Sequence, residues 1–141
     1  MATVAAIGTA FQTIIAAGFS TTARVFAEQP EDVQVTDGKA VIFSLVEDGN
    51  IAETPTTEMS IWHVVVLAAP EAVGYTRGQK AINAWLNATG SLSLKRVIEA
   101  DQTMGGVIHT NNCPRWLDRG LIEVNAKSFW GAKLEVEVWA S

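Results

Sequence analysis

Cysteine is almost absent, with Cys113 standing alone in 141 residues. That excludes an internal disulfide framework and fits a chain that folds in a reducing compartment. Histidine is nearly as scarce, at two residues, His63 and His109. His109-x-x-x-Cys113 has a spacing that metal sites use, but a structural zinc needs four ligands, normally in pairs, and no second close pair exists. Neither a metal nor a cofactor is expected. Basic residues are outnumbered, 10 Lys and Arg against 15 Asp and Glu for a formal charge of −5. No basic run stands out, so a phosphate-tracking groove is unsupported and specific nucleic-acid binding is not expected. A long unbroken apolar run is also missing. Met1 to Ser20 is interrupted by Thr9, Gln12 and Thr13 and has no Lys or Arg before Arg24. It is therefore read as neither an export signal nor a membrane span, and no membrane partner is expected. Proline is limited to four residues, with no low-complexity linker and no internal repeat, so residues 1–141 read as one domain. What is present is 48% hydrophobic sequence, enough for a core without staples at this size.

The apolar spacing predicts the elements. Val4, Ile7, Phe11, Ile14 and Ile15 recur at helical intervals, giving an amphipathic first helix that ends near Gly18. Arg24 to Ala27 reads as a short extended piece running into the Gln29-Pro30-Glu31-Asp32 turn. Ala40–Val46 and Ser60–Ala68 are near-continuous apolar runs, as expected of strands buried on both faces. Thr76-x-x-Gln79 matches a capping box, and Ala81, Ile82, Trp85 and Leu86 then form one stripe before Gly90. Ser91 to Ala100 reads as a shorter third helix, broken by Met104-Gly105-Gly106. Toward the end, Ile122, Val124, Ala126 and Ser128 alternate with polar residues, as do Leu134, Val136 and Val138. With Trp130-Gly131 between them, this predicts a hairpin turning at Trp130-Gly131 with one wet face. The order implies an α+β fold: a mostly antiparallel sheet with two or three helices packed on one side.

Residues capable of chemistry do not converge in the sequence. His63 lies in an apolar strand beside Trp62, and Cys113-Pro114 sits in an Asn-rich stretch read as a loop. Neither phosphate-binding glycine fingerprint, G-x-x-x-x-G-K-[ST] nor G-x-G-x-x-G, occurs. No catalytic residue is assigned, and the chain is not expected to be an enzyme. The five tryptophans are more informative. Trp62 and Trp85 fall on core stripes, whereas Trp116, Trp130 and Trp139 fall at a loop, a turn and the hydrophilic face of the last strand, which makes those three candidates for an oligomer interface. Between the two buried strands, the stretch from Glu47 to Met59 holds Glu47, Asp48, Glu53 and Glu58 with Gly49 and Pro55. It reads as a long exposed loop that no core would accept. Its carboxylates, with Ile51 and Met59, are expected to contact a partner.

The stretch from Thr76 to Gly106 resembles the middle of the tail terminator and tail-completion proteins of long-tailed bacteriophages. The resemblance is carried by Ala88-Thr89-Gly90-Ser91, Ser93-Leu94-Lys95, Ile98-Glu99-Ala100-Asp101 and Met104-Gly105-Gly106. Upstream, Arg24-Val25-Phe26, Gln29-Pro30-Glu31 and Ala40-Val41-Ile42 are similar to that family's opening. The run Asn111-Asn112-Cys113-Pro114-Arg115-Trp116 departs from its pattern. The resemblance implies a virion protein of the neck, made in the host cytoplasm, that assembles with itself as a ring, a hexamer. Such a ring sits on the head-proximal end of the tail tube protein, stops tube polymerisation and offers a docking surface to a head-completion or connector protein. Two alternatives stay open: another neck subunit, either head-closure or connector-adaptor, or a small enzyme or ligand-binding domain using His63, Asp101 and His109.

Overall fold

The computed structural model describes residues 4–19, 22–35, 39–46, 58–87, 93–108 and 110–140. Their order is α1 (Val4–Phe19), β1 (Ala23–Phe26), β2 (Ala40–Val46), β3 (Glu58–Pro70), a 3-10 turn (Glu71–Val73), α2 (Tyr75–Leu86), α3 (Leu94–Ala100), β4 (Thr110–Val124) and β5 (Lys127–Ala140). Among the described residues the strands form one five-stranded sheet in the order β1-β2-β3-β5-β4. In it β1 and β2 run parallel, and the other neighbouring pairs are antiparallel. The fold is α+β, and all three helices pack on one face of the sheet.

Helix α1 buries Ile7, Phe11, Ile15 and Phe19, a stripe at every fourth residue. Phe11 meets Trp62 of β3 with ring centroids 5.4 Å apart, and Phe19 meets Trp85 of α2 edge-on at 4.9 Å. Helix α2 buries Gly78, Ile82 and Trp85, again on one face. Beneath the helices, Ile42, Trp62, Val64, Val66, Leu134, Val136 and Val138 form the sheet side of this core. Burying each large apolar side chain contributes roughly 1.5–3 kcal/mol before entropy is counted.

The opposite face is covered over part of its area. The described part of the connection from β1 to β2, residues 27–35, crosses it without a helix and seats Val33 and Val35 against Val41, Phe43, Val65, Leu67, Ile122, Val124 and Phe129. This explains the near-continuous apolar run of β2, whose residues Ala40 to Ser44 are all buried. Asn125, at the tip of the β4–β5 hairpin, holds that connection in place. Its Nδ2 donates to the carbonyls of Pro30 at 3.1 Å and Glu31 at 2.7 Å, and its Oδ1 accepts from Gln29 at 3.2 Å.

Several expectations are corrected. The C-terminal hairpin turns at Asn125-Ala126, both at positive φ (53° and 63°), while Trp130 and Gly131 lie inside β5. The period-2 pattern runs through a two-residue turn without changing phase, which conceals the turn in the sequence. Asn111 to Trp116 belongs to β4 and not to a loop; register shifts at Asn112/Arg115 and Leu117/Gly120 absorb Pro114 and Asp118, which an uninterrupted ladder would not accommodate. Glu58 and Met59 open β3, so they are strand and not loop, whereas Glu47, Asp48, Ile51 and Glu53 lie outside the described residues. Thr76 is inside the first turn of α2 with Gly74 at the cap position, and no side chain caps the helix there. Ser93 does cap α3, its Oγ accepting from the Arg96 N–H at 3.4 Å. Among the described residues no helix is long and apolar enough to cross a membrane.

Candidate functional site

The sheet separates the groups on which chemistry could have rested. Alternation along β3 turns Trp62 toward the helices, so His63 faces the other way, between Leu45 and Glu135 in register. Asp101 follows α3 on the helix side and lines a shallow cleft of about 290 Å³ with Thr9, Thr13, Ile14 and Met104. His109 lies outside the described residues. Cys113 is buried in the helix-side core, where burial first, and Glu99 second, push its thiol from 9.0 up to about 12 against a smaller opposing effect of Lys95. A thiol so placed is neutral at physiological pH and is a poor nucleophile. A second cleft, of about 350 Å³, opens between α1 and β2 and is lined by Thr9, Glu28, Ser44 and Trp62. Its wall is mainly apolar, and the Ser44 hydroxyl is engaged by the Ala27 carbonyl, to which it donates at 3.2 Å. Among the described residues no three His, Cys, Asp or Glu side chains gather closely enough to hold a metal.

Trp62 and Trp85 lie in the core and Trp139 on the polar face of β5, as expected, whereas Trp116 and Trp130 lie within strands and not at a loop and a turn. Trp130 is buried, 8% exposed, because α2 lies across its ring. A Cβ on Gly78 would sit 2.4 Å from Trp130 ring carbons, so glycine is what lets the helix approach. The indole N–H donates to the Glu71 carbonyl at 3.3 Å, and Tyr75 meets the ring edge-on at 5.8 Å. In the folded chain Trp130 is a core anchor and not a surface contact. Trp116 is half-buried, opposite Leu134, and its indole N–H has no acceptor among the described residues. Trp139 is half-buried on the second face, between Met59 and Thr110 in register.

Around Trp139 the second face is polar. Arg115 meets Glu135 at 3.3 Å, Asn112 donates to Glu137 at 3.0 Å, and Lys133 lies 3.6 Å from Asp118. In each ion pair one partner, Arg115 or Asp118, is exposed to solvent, which screens the attraction and keeps its contribution small. They keep this end of the sheet solvated, in contrast to the covered end beneath Val33 and Val35.

Two features have no counterpart in the sequence pattern. Arg119 reaches from β4 to α2, where it donates to Gln79 Oε1 at 3.1 and 2.8 Å and to Asn83 Oδ1. Tyr75 and Leu121 are the exposed large hydrophobic residues among those described, at 71% and 50%. Both adjoin Trp130, Tyr75 through the ring contact and Leu121 as its cross-strand partner. No periodic signal marks either feature, since each depends on which strand is at the edge. Comparison of the chain with protein-family models and with curated proteins finds no match.

Proposed function

We propose that this chain is a structural subunit of the neck of a long-tailed bacteriophage. It assembles as a ring, a hexamer, on the head-proximal end of the tail tube, stops tube growth and presents the surface to which the head docks. The observation that carries the reading is the order of elements from Thr76 to Gly106. Helix α2, a break, the short helix α3 with Ser93 at its cap, and a tight turn in which Met104, Gly105 and Gly106 all have positive φ lead into β4. That is the order through which the sequence resembles tail terminators. The separation of His63 from Asp101 by the sheet weighs against the small-enzyme alternative. Trp139, half-buried beside the solvated end of the sheet, is the tryptophan best placed for a neighbouring subunit. The acidic stretch from Glu47 to Glu58 is proposed to meet a basic partner, the next subunit or the tube.

The test is capping in vitro. Purified protein added to polymerising tail tube protein is expected to fix tube length and to appear as a ring at one tube end. Trp139→Ala and replacement of residues 48–57 by Asn-Gly should each weaken capping with the fold retained. Tubes that elongate at the same rate with and without the protein would refute the proposal.

A further inference from the structure

The sheet has two edges, and they are treated differently. The β1 edge is four residues long, and α1 covers part of it: Gln12 Nε2 donates to the Val25 carbonyl at 3.2 Å. The β4 edge runs from Thr110 to Val124, with no further strand beyond it among the described residues. Its upstream part is broken by the register shifts around Pro114 and Asp118, devices that protect an edge from pairing. From Gly120 to Val124 the register against β5 is regular. Exposed Leu121 lies in this regular part, opposite Trp130, whose ring also meets Tyr75.

The hairpin fixes which backbone groups face outward. A two-residue turn at Asn125-Ala126 makes Val124 and Lys127 a hydrogen-bonded pair, after which bonded and non-bonded pairs alternate. Val124, Ile122 and Gly120 therefore bond to β5, and the N–H and C=O groups of Glu123 and Leu121 point away from it. The side chains follow a matching pattern. Ile122 belongs to the second-face core, so Leu121 and Glu123 project toward the helix face, where Arg119 also reaches α2.

We propose that the β4 edge from Arg119 to Glu123 pairs antiparallel with the same segment of a second copy of this chain, about a two-fold axis at Leu121. This register places Leu121 against its mate and Arg119 opposite the partner's Glu123 on both sides, so the edge is complementary to itself in charge. It is also the register in which the outward-facing groups of Leu121 meet each other. Arg119 contributes a positive charge that its own contacts, the neutral amides of Gln79 and Asn83, leave uncompensated. Pairing joins the two sheets and covers Leu121. A two-fold contact has no polarity, so it is a separate state from a head-to-tail ring, and each can fail without the other.

The experiment is sedimentation velocity on the full chain, from about 1 to 100 µM at low salt, with far-UV circular dichroism on every variant. The wild type should shift with concentration to twice the 15.1 kDa chain mass. Glu123→Arg, which opposes two cations across each side of the axis, should weaken dimerisation by about a hundredfold or more. The swap Arg119→Glu/Glu123→Arg should restore it, because opposite charges again face each other, even if the lost α2 contacts lower stability. A wild type that stays monomeric throughout would overturn the proposal. So would a dimer that survives Glu123→Arg unchanged, and so would a folded swap variant no better than the single one.

Discussion

Gly78→Ala sets two effects of known size against each other. Alanine in place of glycine inside a helix favours the helix by about 1 kcal/mol. The added methyl carbon would lie 2.4 Å from the Trp130 ring, where ordinary carbon contacts need roughly 3.5–4.0 Å. The helix must back off by more than about 1 Å, or the ring must leave its place. Overpacking of this kind costs about 1–3 kcal/mol. Retreat also strains the Trp130 N–H bond to the Glu71 carbonyl, which contributes about 1 kcal/mol, and the Tyr75 edge contact, which contributes about 0.5–1.5 kcal/mol. The steric loss wins, and net destabilisation should be about 2–4 kcal/mol. At this chain length that lowers the thermal midpoint by roughly 6–12 °C. Thermal and urea unfolding followed by far-UV circular dichroism reads it directly. The same substitution in a Trp130→Leu background, where the ring is gone, should be neutral or slightly stabilising, and the difference isolates the contact. If Gly78→Ala alone raised the midpoint, helix propensity would outweigh the steric clash and α2 would not be seated on Trp130.

Ala126→Gly should stabilise the fold by about 1 kcal/mol, because an alanine at φ 63° bears a left-handed penalty that glycine does not; an unchanged urea midpoint would rule this out. Cys113 should make the protein sensitive to alkali. Its folded pKa is raised from 9.0 to about 12, so between those values the unfolded chain has lost a proton that the folded chain keeps. Stability is full below pH 9 and falls by up to about 1.4 kcal/mol per pH unit above it. Cys113→Ala should flatten that slope, and native Cys113 should resist thiol reagents at about pH 8, below its raised pKa, until the chain unfolds.

The elements legible in the sequence are those whose signal is local. Ala40–Val46 is bounded by the punctuation of Asp37-Gly38 and Asp48-Gly49, and its near-continuous apolar run matches a strand buried on both faces from Ala40 to Ser44. The α1 stripe and the core positions of Trp62 and Trp85 follow from local periodicity in the same way. Nonlocal features are not legible. Nothing in Thr22 to Lys39 announces a parallel crossover without a helix, and Val33 and Val35 look like isolated apolar residues until the sheet beneath them is known. Asn125 is a good turn residue, but the apolar alternation continues across it and favours a strand instead. Asn111 to Trp116 reads as a loop because Asn and Pro disfavour strands, and only pairing with β5 across a bulge overrides that preference. Trp130 looks exposed because a Trp-Gly pair reads as a turn; its burial depends on Gly78, far earlier in the chain. For the edge the limit is the same: Arg119, Leu121 and Glu123 acquire meaning once β4 is known to be the outer strand.

Whether the subunit terminates a tail is decided by the distribution of tail lengths in particles assembled with and without it. Electron microscopy would supply that distribution, on lysates of the phage in which the proposed function places this gene and of the same phage with the gene interrupted. Tails of one fixed length joined to heads in the first case, and overlong or headless tails in the second, are the expected result. Normal-length tails attached to filled heads in the absence of the protein would be incompatible with a terminator.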